Sequence, residues 1–254
     1  MFLEDMMRDC WVVDLGTVDY EEALELQKKL AQLRLQDKIS DVLLLLEHPH
    51  VITLGALAKD KGEMLKVSEE EIRKKGVKVL PTNRGGKVTY HGPGQIIGYA
   101  IRGIDRERES THVCGLEDTM IETLKKYGVR AFRYYKDASM SDRYVGVWCD
   151  FGGKREKIGA TGLRLFGKID SEGKNFNTVT MHGFALYINT DLSFFDLINP
   201  CGYKDKGVTS LQQVLGREVD MNEAKQRVAD AFSNVFGYRK TENKTPEELK
   251  ILIK

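Results

Sequence analysis

The chain has 254 residues, 41% of them hydrophobic and 30% charged, a balance that excludes disorder and suits one large domain or two small ones. Lys and Arg number 39 against 38 Asp and Glu. A net charge of +1 gives no bulk attraction to nucleic acid or to anionic membrane, so any charged partner must be met by a local patch.

In chain order, Trp11 to Leu15 reads as a short strand. Asp19 and Glu22 have capping-box spacing, and Tyr20 to Gln36 follows with apolar residues at Ala23, Leu24, Leu30 and Leu33, an amphipathic helix. Asp41 to Glu47 (DVLLLLE) is a continuous apolar run, the pattern of a strand buried on both faces. Ser68 and Glu71 cap a short helix that stops at Gly76, and Val77 to Leu80 and Gln95 to Ile101 read as strands. Leu116, Met120, Leu124 and Tyr127 share one helix face before Gly128. Three strands follow, at Val129 to Tyr134, Tyr144 to Trp148 and Lys157 to Phe166. The turn-rich DSEGKN leads to a returning strand, Val179 to Ile188. Asp220 and Glu223 cap a helix to about Phe236, and Thr245, Pro246 and Glu248 start a last short one. The interleaving lacks a regular βαβ alternation, which makes the class α+β with a mixed β-sheet flanked by helices. With no long linker or repeat, residues 1–254 read as a single domain.

The longest apolar run, Val42 to Leu46, falls far short of the roughly 20 residues that span a bilayer. The opening MFLEDMMRDCWVVDLG lacks a basic stretch before an apolar one, so a cytoplasmic protein with no membrane partner is expected. Cys10, Cys114, Cys149 and Cys201 form no C-x-x-C pair, which argues against a zinc knuckle or redox dithiol. His48 and His50 in EHPH suit a turn at a strand end better than a metal site, and His112 and Cys114 lack a completing pair. No phosphate loop and no G-x-G-x-x-G occur.

Four segments carry candidate chemistry. Arg84 to Gln95 (RGGKVTYHGPGQ) holds too many glycines for a helix or a central strand, and its paired glycines let backbone approach a ligand. A tight hairpin with Tyr90 packed and His91 satisfied is the equally good alternative. Lys157 to Arg164 (KIGATGLR) is a strand with two glycines, so something approaches it closely. Met181 to Asp191 (MHGFALYINTD) carries a second His-Gly pair, for which a core histidine is the bland reading. Asn199 to Gly202 (NPCG) puts Cys201 at a bend, where a thiol is presented more readily than inside an element.

Taken together in this order and spacing, RGGKVTYHGPGQ, KIGATGLR, HGFALYINTDL and INPCG resemble the octanoyltransferases of lipoate biosynthesis, as does LLEHPHVITLG at Leu45 to Gly55. The resemblance covers roughly Val12 to Leu211. It implies the biotin/lipoate protein ligase-like fold and octanoyl transfer from octanoyl-acyl carrier protein to the lysine of lipoyl domains and of the glycine-cleavage H-protein. It implies no cofactor. It puts the acyl-thioester cysteine on Cys201 and its partnering lysine on Lys157. The substrate-binding positions fall on Arg84, Gly85, Gly86, Lys87, Val88, Thr89, Tyr90 and His91, on Ala160, Thr161 and Gly162, and on His182, Gly183, Phe184 and Ala185. Cys149 to Glu156 and Phe166 to Thr180 are longer than the family's usual turns and read as loop insertions beside the site.

The chemistry suits those residue types. Attack of a thiolate on a thioester gives another thioester, which keeps the acyl group activated toward an amine. A nearby ammonium lowers a thiol's pKa from about 8.5, a service within reach of a lysine. A lipoate protein ligase of the same fold, which would need ATP, and a silent lipoyl-domain binder are the alternatives.

Overall fold

The computed structural model describes residues 8–58, 60–104, 109–135, 143–167, 178–199 and 207–253. In chain order the elements are β1 (Asp9–Thr17), α1 (Tyr20–Leu35), β2 (Asp41–Glu47), β3 (Val51–Leu54), α2 (Lys61–Met64), α3 (Glu69–Lys74) and β4 (Lys78–Pro81). Then come β5 (Val88–His91), β6 (Gln95–Ile101), β7 (Gly103–Ile104), α4 (Glu109–Lys125), β8 (Ala131–Tyr135), β9 (Arg143–Phe151), β10 (Lys154–Gly167) and β11 (Thr178–Tyr187). A 3₁₀ turn at Leu192–Leu197, α5 (Leu211–Leu215), α6 (Met221–Phe236), β12 (Lys240–Asn243) and α7 (Pro246–Leu252) complete the chain.

The large sheet runs β12-β1-β2-β6-β11-β10-β9-β8, with β7 paired to β11. β1 is parallel to β12 and β2, and the remaining pairs are antiparallel, so the sheet is mixed, as expected. A second sheet, β4-β3-β5, lies over one face.

β2 explains its own composition. Val42, Leu44 and Leu46 enter one core, with α1, α3 and the small sheet. Leu43 and Leu45 enter the other, with α4 and α6. A strand covered on both faces has no polar side to show. On α4, Leu116, Met120 and Leu124 are fully buried against that second core, each contributing about 1.5–3 kcal/mol.

Several local expectations need correction. Asp19 caps α1 through the N–H of Glu21 rather than that of Glu22, and its other oxygen pairs with Lys78. α4 begins seven residues before Leu116, at Glu109, and so takes in His112 and Cys114. Cys149 to Glu156 is not a loop. Gly152 and Gly153, at φ of 58° and 75°, make a two-residue turn, and the ladder continues through Cys149↔Glu156 and Asp150↔Arg155. The DSEGKN segment and NPCG from Pro200 onward lie outside the described residues.

Candidate functional site

β10 reaches its neighbour β9 through a β-bulge. The pairing passes from Lys157↔Trp148 to Gly159↔Val147, so Ile158 is the extra residue. Ile158 lies in the α4-side core, and a Cβ on Gly159 would stand 2.6 Å from Met120 Sδ on α4. Two consecutive residues therefore face α4, which puts Lys157 on the same face as Ala160 and Gly162. Regular alternation would have turned the lysine away from them.

That face forms one wall of a cleft of about 680 Å³, its open side included. The loop before β5, β5 itself, and β6 and β11 supply the other walls. Of the residues expected from sequence, Arg84, Gly86, Lys87, Val88, Thr89, His91, Lys157, Ala160, Thr161, Gly162, His182, Gly183, Phe184 and Ala185 border it. Phe184 does so through its main chain, because its ring packs on the opposite face over Gly98. Gly85 and Tyr90 stand outside the lining. Gly85 hydrogen-bonds Leu163 through its N–H, and Tyr90 is stacked on Phe194 with its hydroxyl 2.8 Å from His50 Nδ1. Cys201 lies outside the described residues.

Lys157 is 5% exposed. Its Nζ sits 4.9 Å from the centroid of the Trp148 ring. Its backbone N–H donates to Gly207 O at 3.1 Å, and its carbonyl accepts from Thr209 N–H at 2.9 Å. The chain that resumes after the Cys201 segment is thus tied directly to the lysine's own main chain.

Arg84 uses its charge inside the protein. Nη2 donates to Thr53 O (2.7 Å), Thr53 Oγ1 (2.8 Å) and Lys87 O (3.0 Å), and Nη1 donates to Gly85 O (2.9 Å). The guanidinium locks the glycine loop onto β3. Gly55 completes the lock, since a Cβ there would lie 2.4 Å from Gly86 O.

Three histidines around the cleft are held neutral. His91 is pushed well below the ordinary value by burial, with His48 and the Arg84 guanidinium adding to it. His182 falls to about 3, again by burial first and then Arg84 and Arg164. His48 falls to about 4 by burial. Their tautomers follow from their partners. His48 Nδ1–H donates to Val18 O (2.6 Å), and its Nε2 accepts from Tyr99 O–H (2.7 Å). Gln95 Nε2 donates to Tyr90 O, which turns Gln95 Oε1 toward His91 Nδ1–H at 3.3 Å. His182 Nε2 meets Asn83 Oδ1 at 2.8 Å, and its buried Nδ1 has no hydrogen-bond partner among the described residues.

His182 also adopts φ of 60°, unusual for a residue with a side chain, and its N–H goes to Gln27 Oε1 at 2.7 Å. The next residue must be glycine, because a Cβ on Gly183 would lie 2.0 Å from Gly98 O. Sequence reasoning passed over Tyr20, Ile97, Tyr99, Tyr187, Phe195 and Val208, which also line the cleft. The aromatic ones read as ordinary core. Gln27, a buried amide within the apolar stripe of α1, was the available signal that the helix serves a polar site. Among the described residues, no three of His, Cys, Asp and Glu stand together as a metal-binding set, and no helix is long and apolar enough to cross a membrane.

Residues 19–233 match the lipoyl protein ligase A/B catalytic domain family. An octanoyltransferase of Desulforamulus reducens is 42% identical over 230 residues, covering 90% of this chain and 91% of that protein. One from Caldicellulosiruptor saccharolyticus is 44% identical over 226 residues, 88% of this chain and 87% of that protein. Among solved structures, the bipartite lipoate protein ligase of Thermoplasma acidophilum, described with its E2 lipoyl domain, superposes with a TM-score of 0.70 at 15% identity, covering 97% of this chain and 91% of that one. A lipoate-protein ligase A bound with ATP superposes with a TM-score of 0.68 at 13% identity, covering 97% and 92%. The fold is that of the lipoate ligases, and the chain belongs to the lipoyl protein ligase A/B catalytic domain family.

Proposed function

We propose that the chain is an octanoyltransferase that carries an octanoyl group from octanoyl-acyl carrier protein, through a thioester on Cys201, to the lysine of lipoyl domains and the glycine-cleavage H-protein. It works in the cytoplasm without a cofactor. The observation that carries this reading is Lys157, buried in the wall of an apolar-lined cleft and bonded through its main chain to Gly207 and Thr209, just beyond the segment that bears Cys201.

The cleft takes the acyl chain. Burying the seven carbons beyond the carbonyl at about 0.8 kcal/mol each supplies roughly 5–6 kcal/mol before ordering costs. Ala160, Gly162, Gly183 and Ala185 keep that wall low enough for a chain to lie on it. The Lys157 ammonium stabilises the thiolate and then supplies the proton that the carrier thiol takes as it leaves. Neutral Lys157 accepts a proton from the attacking lysine amine in the second step. Each half-reaction forms a tetrahedral oxyanion that needs fixed donors. Neutral His91, with its one N–H turned to Gln95, has none to give, so main-chain amides along the glycine-bearing strands take that role.

The test uses purified protein, octanoyl-acyl carrier protein and a lipoyl domain, with no nucleotide present. The lipoyl domain gains one octanoyl group on its lysine. An absolute requirement for ATP would move the chain to the ligase class.

A further inference from the structure

We propose that Glu117 is a positioning residue for Lys157, acting through the main chain of Gly146. The inference rests on the reading of Lys157 as the proton-handling group.

Gly146 stands in neither neighbouring ladder. Between β8 and β9 the pairing jumps from Arg133↔Val147 to Tyr134↔Tyr144, and between β9 and β10 the Ile158 bulge falls beside it. Two irregularities thus meet at one residue, and neither strand offers its N–H a ladder acceptor. Glu117 of α4, wholly buried, supplies one: Oε1 accepts Gly146 N–H at 3.0 Å. Gly146 in turn lies beside the lysine stem. At φ of 110°, a Cβ there would lie 2.5 Å from Gly159 O and 3.4 Å from Lys157 Cε, so the glycine backbone forms the floor under the lysine stem.

A buried carboxylate is a costly way to pack a helix. The neighbouring Leu116, Met120 and Leu124 show that apolar side chains serve that purpose on the same helix. Nor is Glu117 needed simply to neutralise Arg133. Arg133 donates to Glu117 Oε2 (3.0 Å), but it also pairs with Asp118 at 2.7 Å and with Cys114 O at 2.7 Å. The distinctive task of Glu117 is to hold the doubly irregular strand in the shape that sets Lys157 on the cleft face.

The experiment is single-turnover octanoyl transfer, with KM for the donor measured alongside. Glu117→Leu should lose at least about tenfold in rate with KM unchanged, since small displacements of a reacting group carry large rate costs. Glu117→Gln keeps an oxygen for the Gly146 N–H and should stay within about threefold of wild type. In a Lys157→Ala background, Glu117→Leu should cost nothing further, a non-additivity that a purely structural role would not produce. Glu117→Ala replaces the Leu variant, with the same expectations, if that one does not fold. Equal losses in both backgrounds, or a Gln variant as slow as the Leu variant, overturn the proposal. If Lys157→Ala alone keeps the wild-type rate, the reading of Lys157 has failed, and the role of Glu117 falls with it.

Discussion

Acidification should destabilise this protein well before its carboxylates titrate, and the structure sets the size of the effect. His182 and His48 have pKa values of about 3 and about 4 in the folded chain against 6.5 when free. Both values are depressed, so the native state refuses protons that the unfolded chain accepts. The full stability is present above pH 6.5 and is lost as pH falls from there toward the folded values. Each pH unit in that window costs about 1.4 kcal/mol per histidine, so the two together cost about 4 kcal/mol at pH 5. His91, buried and shifted the same way, adds to the loss. Against a typical stability of about 5–15 kcal/mol, that is a large share. Urea denaturation at pH 7.5 and pH 5 measures it, with the m-value checked for constancy. His182→Asn, chosen because Asn tolerates the positive φ, should show a pH-dependent loss about 2 kcal/mol smaller than wild type. Identical pH dependence in the two proteins would refute the claim that His182 is held neutral.

Lys157→Arg separates charge from proton transfer. Arginine keeps the positive charge but releases no proton near neutral pH, so transfer should fall at least about a hundredfold while Cys201 is still alkylated faster than in Lys157→Ala. Near wild-type turnover would remove the shuttle from Lys157. Gly183→Ala should destabilise the fold by more than about 2 kcal/mol in chemical denaturation, because its Cβ meets the Gly98 carbonyl oxygen at 2.0 Å and neither backbone can yield cheaply. An unchanged midpoint would show that β11 and β6 relax more freely than their close approach implies.

The parts of the fold legible in the sequence were those whose pattern is fixed by local burial. DVLLLLE could only be a strand with both faces covered, and Leu116, Met120 and Leu124 marked the buried face of α4. β3 and β5 escaped because each has only four residues and lies beside breakers, His48-Pro49-His50 on one side and the glycine loop on the other. β12 escaped for a different reason: its KTEN carries no strand pattern, and its pairing with β1 brings together residues more than two hundred positions apart. The glycine and histidine segments announced the cleft, yet their finer roles depended on tertiary detail. Arg84 was expected as a substrate-binding position, and it does border the cleft, but its guanidinium also donates to Thr53 and to its own loop, which the sequence did not reveal. Tyr90 looked like its neighbours, but the pleat of β5 turns it toward Phe194 and His50. The orientation of Lys157 hangs on the Ile158 bulge, and a bulge leaves no trace in the alternation where the residues that follow it, Gly159 to Gly162, are small.

The central claim is a covalent acyl relay on Cys201, assisted by Lys157. Intact mass spectrometry of the protein mixed with octanoyl-acyl carrier protein, followed by peptide mapping, tests it most directly. The account predicts a single octanoyl adduct on the peptide containing Cys201, absent from Cys201→Ala and discharged when a lipoyl domain is added. An adduct on Cys10, Cys114 or Cys149, or efficient transfer by Cys201→Ala, would contradict it.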